Sequence, residues 1–234
     1  MLSFFVSLLY PKKCVKCKRV GAYICAQCFA QINFLEYQIC SECGKGSIDG
    51  LTHPKCKTRY GMDGLLSAIS YKGIVKKLLY QFKYPPYLSD LKTILGALFY
   101  EGLIQQPAFM KFIEDKNLLI VPVPLHSSRL RKRGYNQAEL LAQELSLKLD
   151  VPVKKLLVRI KDSKPQYKLT RDERIKNISE AFAINPKNKL SSEGKSVILI
   201  DDITTSGITM RECAKILKRN GVKRVLGVTL AHEG

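Results

Sequence analysis

Residues 197–209 read Val197-Ile198-Leu199-Ile200-Asp201-Asp202-Ile203-Thr204-Thr205-Ser206-Gly207-Ile208-Thr209, and this stretch decides the fold. Its first four residues are aliphatic, which is typical of a strand buried on both faces of a sheet. Two carboxylates stand at the predicted end of the strand, and a loop of hydroxyl residues with one glycine follows. A helix from Met210 to Asn220 and a second apolar strand from Val222 to Ala231 are predicted next. The order of strand, loop, helix and strand indicates an open parallel sheet.

The chemistry of this stretch follows from its place in such a sheet. Ligands of open parallel sheets bind beyond the carboxyl ends of the strands, and free amides at a helix N-terminus favour a phosphate there. Gly207 lets the backbone approach closely, and the hydroxyl donors are Thr204, Thr205, Ser206 and Thr209. Asp201 and Asp202 would repel a phosphate, so we expect them to accept hydrogen bonds from vicinal sugar hydroxyls. Together these groups describe a ribose 5-phosphate; the alternative is an ordinary strand-to-helix turn with two exposed Asp residues.

The stretch resembles the 5-phosphoribosyl-1-pyrophosphate (PRPP) motif of type I phosphoribosyltransferases. That resemblance implies displacement at ribose C1, with Mg²⁺ and basic residues stabilising the departing pyrophosphate. It also implies that Asp201 and Asp202 are the catalytic acids that hold the ribose, and that the 5-phosphate is bound by Thr204, Thr205, Ser206, Gly207 and Thr209.

The cysteines form a second motif, because seven of the eight lie between Cys14 and Cys56. Four pairs with two intervening residues supply eight candidate ligands, which is enough for two tetrahedral zinc ions of structural type. The simplest pairing is Cys14, Cys17, Cys25 and Cys28 for one site, and Cys40, Cys43, His53 and Cys56 for the other. A crossed pairing and redox-active cysteine pairs are the alternatives, and His53 is the least certain ligand. Zinc would supply most of the folding energy of this short segment.

Composition sets broader limits. The 234 residues carry 39 Lys+Arg against 20 Asp+Glu, a net charge of +19, which favours anionic partners such as nucleotides or single-stranded DNA bound weakly and without sequence preference. Residues 1–10 are apolar but lack the features of a secretion signal, so we expect a short packed helix there, or else an interfacial membrane contact. No later stretch is apolar enough to span a bilayer. We expect a cytoplasmic protein with reduced thiols.

The sequence as a whole indicates two domains. Residues 1–61 hold the N-terminal helix and the zinc ribbon, and residues 62–234 hold the sheet. Residues 105–117 are expected to be a loop. The strand Leu118–Val123 is followed by a basic loop whose Arg129, Arg131, Lys132 and Arg133 are candidates for binding pyrophosphate. The polar segment 164–177 is expected to be a flap over the site or a plain surface loop. No nucleotide-binding GxxxxGK[ST] or GxGxxG pattern is present.

Most of the chain resembles the ComF family of competence proteins. The resemblance is carried by the four cysteine pairs, Val121 to His126, Arg129 to Ala138, Gln166 to Asn177 and Leu199 to Thr209. Two departures are His53 in place of a more usual Cys, and Ile208 in place of a small residue. The resemblance implies a double zinc ribbon fused to a type I phosphoribosyltransferase-like α/β fold, with a parallel sheet flanked by helices. It also implies a role in DNA uptake during natural transformation, beside a helicase-like protein and a recombination mediator. Through these partners the chain would reach the inner face of the membrane. Whether the chain forms a homo-oligomer stays open.

Two functions are compatible with these residues. One is a phosphoribosyltransferase that uses PRPP with an acceptor that the sequence does not identify. The other is a DNA-binding adaptor that keeps the PRPP fold as a scaffold or sensor, with Tyr135 and Tyr167 as stacking platforms. In either case we expect replacement of both Asp201 and Asp202 by Asn to weaken PRPP binding with little loss of stability.

Overall fold

The computed structural model describes residues 11–162, 178–188 and 193–233. The predicted helix over residues 1–10 and the predicted flap over 164–177, with Tyr167, lie outside the described residues. Within these ranges, no helix combines the length and the apolar character needed to cross a membrane.

The N-terminal segment is built from cysteine knuckles with little regular structure. It contains the helix α1 (Ala26–Phe29), two short antiparallel strands, β1 (Gln38–Ile39) and β2 (Gly46–Ser47), and single 3-10 turns at Ile48–Gly50 and Pro54–Cys56. Because such short elements bury little apolar surface, the ligand clusters have to hold this segment together.

The rest of the chain forms a parallel sheet with helices on both faces. The strands in this part of the chain are β3 (Gly64–Ser70), β4 (Leu118–Pro122), β5 (Leu157–Arg159), β6 (Phe182–Ile184), β7 (Ser196–Thr204) and β8 (Arg224–His232). Its helices are α2 (Gly73–Lys83), α3 (Leu91–Ile104), α4 (Pro107–Ile113), α5 (Ser127–Arg133), α6 (Gln137–Leu149) and α7 (Ile208–Arg219). The sheet order is β3-β8-β7-β4 with every pairing parallel, while β5 and β6 form a separate antiparallel pair. The predicted fold class is confirmed.

Strand β7 shows why this sheet must be covered on both faces. Ile198 and Ile200 join the core beneath α3 and α6, whereas Val197 and Leu199 join the core beneath α7. All four side chains are completely buried, as expected for alternating residues of a central strand. The carboxyl end of β7 is therefore held rigidly at one edge of the sheet.

The ribbon segment covers the outer edge of β3. The Gln38 side-chain amide donates to the Ser67 carbonyl at 3.0 Å, and the Ser67 amide donates to Gln38 Oε1 at 2.9 Å. The Ser70 amide likewise donates to the Asn33 carbonyl at 3.0 Å. These bonds satisfy the polar edge that an unpaired strand would expose. The proposed division into residues 1–61 and 62–234 stays a prediction, and the two parts contact each other along this edge.

Three local expectations were wrong. Strand β7 continues through the carboxylates, with Asp201 beside Thr229 and Thr204 beside His232, because pairing with β8 persists to its end. Residues 105–117 contain α4, which begins at Pro107 and buries Phe109 and Phe112; proline suits the first position of a helix. The basic segment after β4 is the helix α5 and not a loop, and it ends at Gly134, whose φ of 82° is left-handed.

Candidate functional site

A cavity of about 310 Å³ opens at the carboxyl edge of the sheet. Its wall is formed by the end of β7, the loop that leads into α7, the end of α2, and the start of α6. The predicted site residues that line it are Asp201, Asp202, Thr204, Thr205, Ser206, Gly207, Thr209, Arg129 and Arg133. The topology therefore brings the end of β7 and the segment that follows β4 to one place, as expected for adjacent parallel strands.

The two carboxylates differ in their surroundings. Asp202 is buried, and its Oδ2 lies 2.8 Å from Lys83 Nζ, so the last residue of α2 neutralises it. Burial alone would lower the pKa of Lys83, but the charges of Asp202 and Asp201 raise it above its ordinary value. Burial, and then repulsion by Asp202, raise the pKa of Asp201 to about 7. Asp201 therefore changes charge near neutral pH.

Lys83 is held in place through the carbonyl of the preceding residue. The Phe82 carbonyl accepts hydrogen bonds from the Tyr135 hydroxyl at 2.9 Å and from Gln137 Nε2 at 2.8 Å. The ring of Tyr135 also packs against that of Phe82, with centroids 5.7 Å apart. Tyr135 is thus committed to fixing the end of α2, and the suggested role as a stacking platform is not supported by its position.

The segment from Thr204 to Gly207 leads into α7 at the cavity. Gly207 has a φ of 69°, and a Cβ there would lie 3.3 Å from Leu65 Cδ2 and 3.6 Å from the Ser41 carbonyl oxygen. A glycine is needed because an L side chain is strained in this left-handed conformation. The first residues of α7, from Ile208 to Met210, line the cavity, and the amides and dipole of a helix N-terminus favour an anion.

The ribbon supports this helix start through Arg211, in the first turn of α7. One guanidinium nitrogen of Arg211 donates to the carbonyls of Ser41 and Glu42, both at 3.1 Å, and lies 3.6 Å from the Glu42 carboxylate. Ser41 and Glu42 are the two residues between Cys40 and Cys43. The third cysteine knuckle, Cys40–Cys43, therefore packs directly on the candidate phosphate loop and the first turn of α7.

The four basic residues proposed for pyrophosphate divide into two pairs. Arg129 and Arg133 are one helical turn apart on α5 and line the cavity. Arg131 and Lys132 are exposed and lie outside the cavity, because intermediate positions on a helix face other directions. Asp162 holds the start of α5: its carboxylate accepts from the Ser128 hydroxyl at 2.5 Å and lies 3.8 Å from Arg129 Nε. The Ser128 bond, followed by the charges of His126 and Arg129, lowers the pKa of Asp162.

The eight candidate metal ligands form two groups in the uncrossed arrangement. Within each group the ligand atoms all lie within 4.8 Å of one another, and the groups are Cys14, Cys17, Cys25, Cys28 and Cys40, Cys43, His53, Cys56. Zn–S bonds of about 2.3 Å place tetrahedral thiolates about 3.8 Å apart, so both groups fit zinc. Backbone amides overcome the effect of burial and lower the pKa of Cys14 to about 6 and that of Cys40 to about 7.

His53 has the geometry of a ligand. Its Nδ1 lies 3.4 Å from Cys43 Sγ, and its Nε2 lies 3.1 Å from the Gly46 carbonyl oxygen. A hydrogen on Nε2 bonded to that carbonyl leaves the Nδ1 lone pair free to face the cluster, which is the usual support for a metal-bound imidazole. Cys213 belongs to neither group; it lies on the buried face of α7, and burial raises its pKa well above the ordinary value.

Sequence reasoning missed several residues of the cavity. Lys83 and Arg159 line it and belong to no recognisable motif, whereas Gln137 lies within the Arg129 to Ala138 segment but without a predicted role in the site. Burial, followed by repulsion from Arg129, lowers the pKa of Arg159. The available signal for Lys83 was weak: it precedes Tyr84-Pro85-Pro86, which marks a helix end but not its place in the fold.

Two family models match the chain. The model described as the phosphoribosyl transferase domain matches residues 131–234, and the model described as the double zinc ribbon domain matches residues 5–57. The second match covers both ligand groups, so these groups belong to a zinc-ribbon-type module.

Three curated proteins illustrate the similarity. The chain is 31% identical over 209 residues to Competence protein ComFC of Bacillus subtilis, covering 85% of this chain and 79% of that protein. It is 27% identical to DNA utilization protein YhgH of Salmonella typhimurium, covering 93% and 96%. Competence protein F of Haemophilus influenzae is 38% identical over 107 residues, which are 45% of this chain and 46% of that protein, so this match spans less than half of either.

The solved structures that resemble this chain align with only part of it. One of the allosteric regulatory enzyme of purine biosynthesis aligns with 60% of this chain and 25% of its own, at 15% identity and a TM-score of 0.37. A glutamine PRPP amidotransferase from B. subtilis aligns at 12% identity, covering 60% of this chain and 26% of its own, with a TM-score of 0.35.

Proposed function

This chain belongs to the ComF family of competence proteins, and from that membership we propose that it acts in DNA uptake during natural transformation with a domain that binds PRPP. The relatives are named for competence and for DNA utilization, and a phosphoribosyl transferase domain matches the C-terminal part of the chain. The single observation that carries the PRPP assignment is the cavity in which Asp201 and Asp202 meet the Thr204–Gly207 loop.

Each part of PRPP has complementary groups in this cavity. The 5-phosphate is assigned to the loop amides and hydroxyls at the start of α7. The ribose hydroxyls are assigned to Asp201, whose carboxylate pairs with no cation among the residues that the structure describes, whereas that of Asp202 pairs with Lys83. The pyrophosphate is assigned to Arg129 and Arg133, on the face of α5 that lines the cavity.

This assignment changes the role given to Asp202. Because its carboxylate already pairs with Lys83, we assign Asp202 to hold the Lys83 ammonium beside the reacting ribose. Carboxylates and phosphate oxygens are suitable ligands for Mg²⁺, which would neutralise the leaving pyrophosphate when bound. In a transferase reaction the acceptor would attack ribose C1 while the basic residues hold the departing pyrophosphate.

We further assign one structural zinc ion to each ligand group. Four protein ligands leave no open coordination position, so neither ion is placed in the chemistry. The second group would fix the knuckle that holds Arg211, and through it the start of α7.

The second candidate is an adaptor in which PRPP binds without turnover. The net charge of +19 favours this alternative as well, because it supplies affinity for nucleic acid without requiring an acceptor site. The partners of either function, including a helicase-like protein, a recombination mediator and a second copy of the chain, remain proposals, as does a cytoplasmic location.

PRPP titration of the full, zinc-loaded chain by calorimetry with Mg²⁺ tests the assignment. We expect saturable binding in the wild type and a loss of roughly tenfold or more in Asp201→Asn, since a hydrogen bond to a charged acceptor contributes about 1.5–3 kcal/mol. Lys116→Gln, an exposed change at the opposite edge of the sheet, is the matched control. Wild-type protein that does not bind PRPP would refute the assignment, and pyrophosphate release in the presence of DNA or free bases would separate the transferase from the adaptor.

A further inference from the structure

Helix α2 presents a basic and aromatic surface that none of the assigned functions uses. A second cavity of about 390 Å³ lies between the first cysteine knuckle and this helix, and it is lined by Val15, Lys18, Lys76, Lys77, Tyr80 and Gln81. None of these lining residues is acidic. Tyr80 also lines the cavity at the carboxyl edge, so the two cavities adjoin at its ring. We define Lys18, Lys76, Lys77, Tyr80 and Tyr84 as the α2 track.

The two tyrosines of the α2 track, Tyr80 and Tyr84, keep a large part of their side chains exposed to solvent. Tyr80 and Tyr84 are 58% and 42% exposed, and they lie one turn apart at the mouth of the carboxyl-edge cavity. Their ring centroids are 4.9 Å apart with a tilt of 34°, so the two partly exposed rings form one aromatic surface against which a flat ligand can stack. The Arg133 guanidinium lies 5.9 Å from the Tyr84 ring and adds a cation beside it. A planar, electron-rich heterocycle is the ligand that such a pair suits.

The basic part of the α2 track continues from these rings toward the ribbon. Lys18 and Lys77 are exposed, and Lys76 contacts the Tyr71 ring and lies 4.0 Å from Glu233. Exposed ion pairs of this kind contribute little to stability, so the Lys76 ammonium can leave Glu233 and bind another anion. A row of cations beside two open rings is the arrangement that binds an unpaired nucleic acid strand, with phosphates on the cations and bases on the rings.

We propose that a single-stranded nucleic acid lies along the α2 track, its backbone on the lysines and its bases on the tyrosines, and so leads into the phosphoribosyl cavity. The proposal rests on the proposed function, because it supplies the DNA contact that a competence protein needs. In this arrangement, the group that reaches the mouth of the carboxyl-edge cavity is a nucleobase of the bound strand.

Fluorescence anisotropy of a labelled oligothymidylate, titrated with the full zinc-loaded chain at several salt concentrations, tests the proposal. Tyr80→Ala with Tyr84→Ala should weaken binding at least tenfold, since stacking contributes about 1–3 kcal/mol per base. Tyr80→Phe with Tyr84→Phe keeps both rings and should bind as the wild type does. Tyr37→Ala removes a ring that is 86% exposed on the ribbon segment and is the remote control.

The lysines have a separate readout. Lys18→Gln with Lys77→Gln should reduce the slope of log affinity against log salt by about 1.4, since each phosphate contact on a single strand contributes about 0.7. Lys116→Gln with Lys223→Gln removes two exposed lysines beside the opposite edge of the sheet and should leave the slope unchanged. PRPP titration of the Lys18/Lys77 variant should match the wild type, which separates this surface from the PRPP site.

The outcomes distinguish the two levels of the proposal. Wild-type binding that persists in the Tyr→Ala variant, equal effects of both lysine pairs, or equal affinity for duplex and single strand would each overturn the α2 track. Failure of the wild type to bind the oligonucleotide even at low salt would overturn the role in DNA handling together with the track, whatever the result with PRPP.

Discussion

The pair formed by Lys83 and Asp202 makes a prediction that can be measured without any ligand. Lys83→Met removes the cation and leaves a carboxylate whose side chain is only 8% exposed, beside a second carboxylate, Asp201. Breaking a buried pair by removing one partner costs about 3–5 kcal/mol. Lys83 itself is 22% exposed, so some water reaches the pair, and we expect a loss of about 3 kcal/mol in the free energy of unfolding.

The double variant determines how much of that loss belongs to the pair. Asp202→Asn in the Lys83→Met background removes the stranded charge, and we expect it to recover about 2 kcal/mol, because neutral replacements of a buried ion pair are often tolerated. Lys77→Met, on the exposed face of the same helix, controls for the change in side chain and should cost less than about 0.5 kcal/mol.

Urea unfolding followed by far-UV circular dichroism, with zinc held in excess, supplies the four free energies. Tryptophan fluorescence is not an option, since the chain contains no Trp. Additive effects of the two substitutions, with a coupling energy below about 0.5 kcal/mol, would refute the reasoning and place the pair with ordinary surface salt bridges.

Four further outcomes follow from the structure. Asp201→Asn should raise the free energy of unfolding by at most about 4 kcal/mol at pH 8 and hardly change it at pH 4. The reason is that Asp201 has a pKa of about 7 in the folded state, so wild-type stability falls as pH rises from about 4 to about 7. Equal effects of the substitution at both pH values in a urea titration would contradict this. Elemental analysis should give about two zinc ions per chain and the same content in Cys213→Ala, whereas Cys43→Ala should lose about one ion. Gly207→Ala should lower the free energy of unfolding by about 1–2 kcal/mol and weaken PRPP binding, and calorimetry with wild-type affinity would argue against close approach of the loop. Asp115→Asn should destabilise the chain at pH 7 and have no effect below about pH 2, since bonds from Ser196, Asn117 and Arg224 lower the pKa of Asp115 to about 2; a constant difference across a pH series of melting curves would be inconsistent with that.

The parts of the fold that sequence predicted are those specified locally. The apolar run before Asp201 predicts a strand buried on both faces because every side chain faces a layer of the core. The cysteine spacing predicts ligand pairs because two intervening residues make one tight turn, and the structure then chooses the uncrossed arrangement of those pairs.

What sequence could not predict depends on distant packing. Lys83 reaches Asp202 because α2 lies across the carboxyl edge, where Lys76 also meets Glu233; no periodicity along α2 contains that information. Replacing both acids by Asn would also leave the Lys83 ammonium without its partner, so the expectation of little loss in stability stays a prediction that the sequence alone could not have refined. The choice of Arg129 and Arg133 over Arg131 and Lys132 needed only the knowledge that the segment is helical.

The contact of Arg211 with the third cysteine knuckle, Cys40–Cys43, has a consequence for how metal and nucleotide affinities relate. The carbonyls of Ser41 and Glu42 belong to the knuckle that a metal ion would close, and they bind Arg211 in the first turn of α7. Thermodynamic reciprocity then requires that whatever metal binding adds to the affinity of the loop for a phosphate, an occupied loop adds to the retention of the metal. At equilibrium, a chain saturated with PRPP should therefore hold an ion in the second group more tightly against a chelator than an empty chain does, while the affinity of the first group should be the same in both.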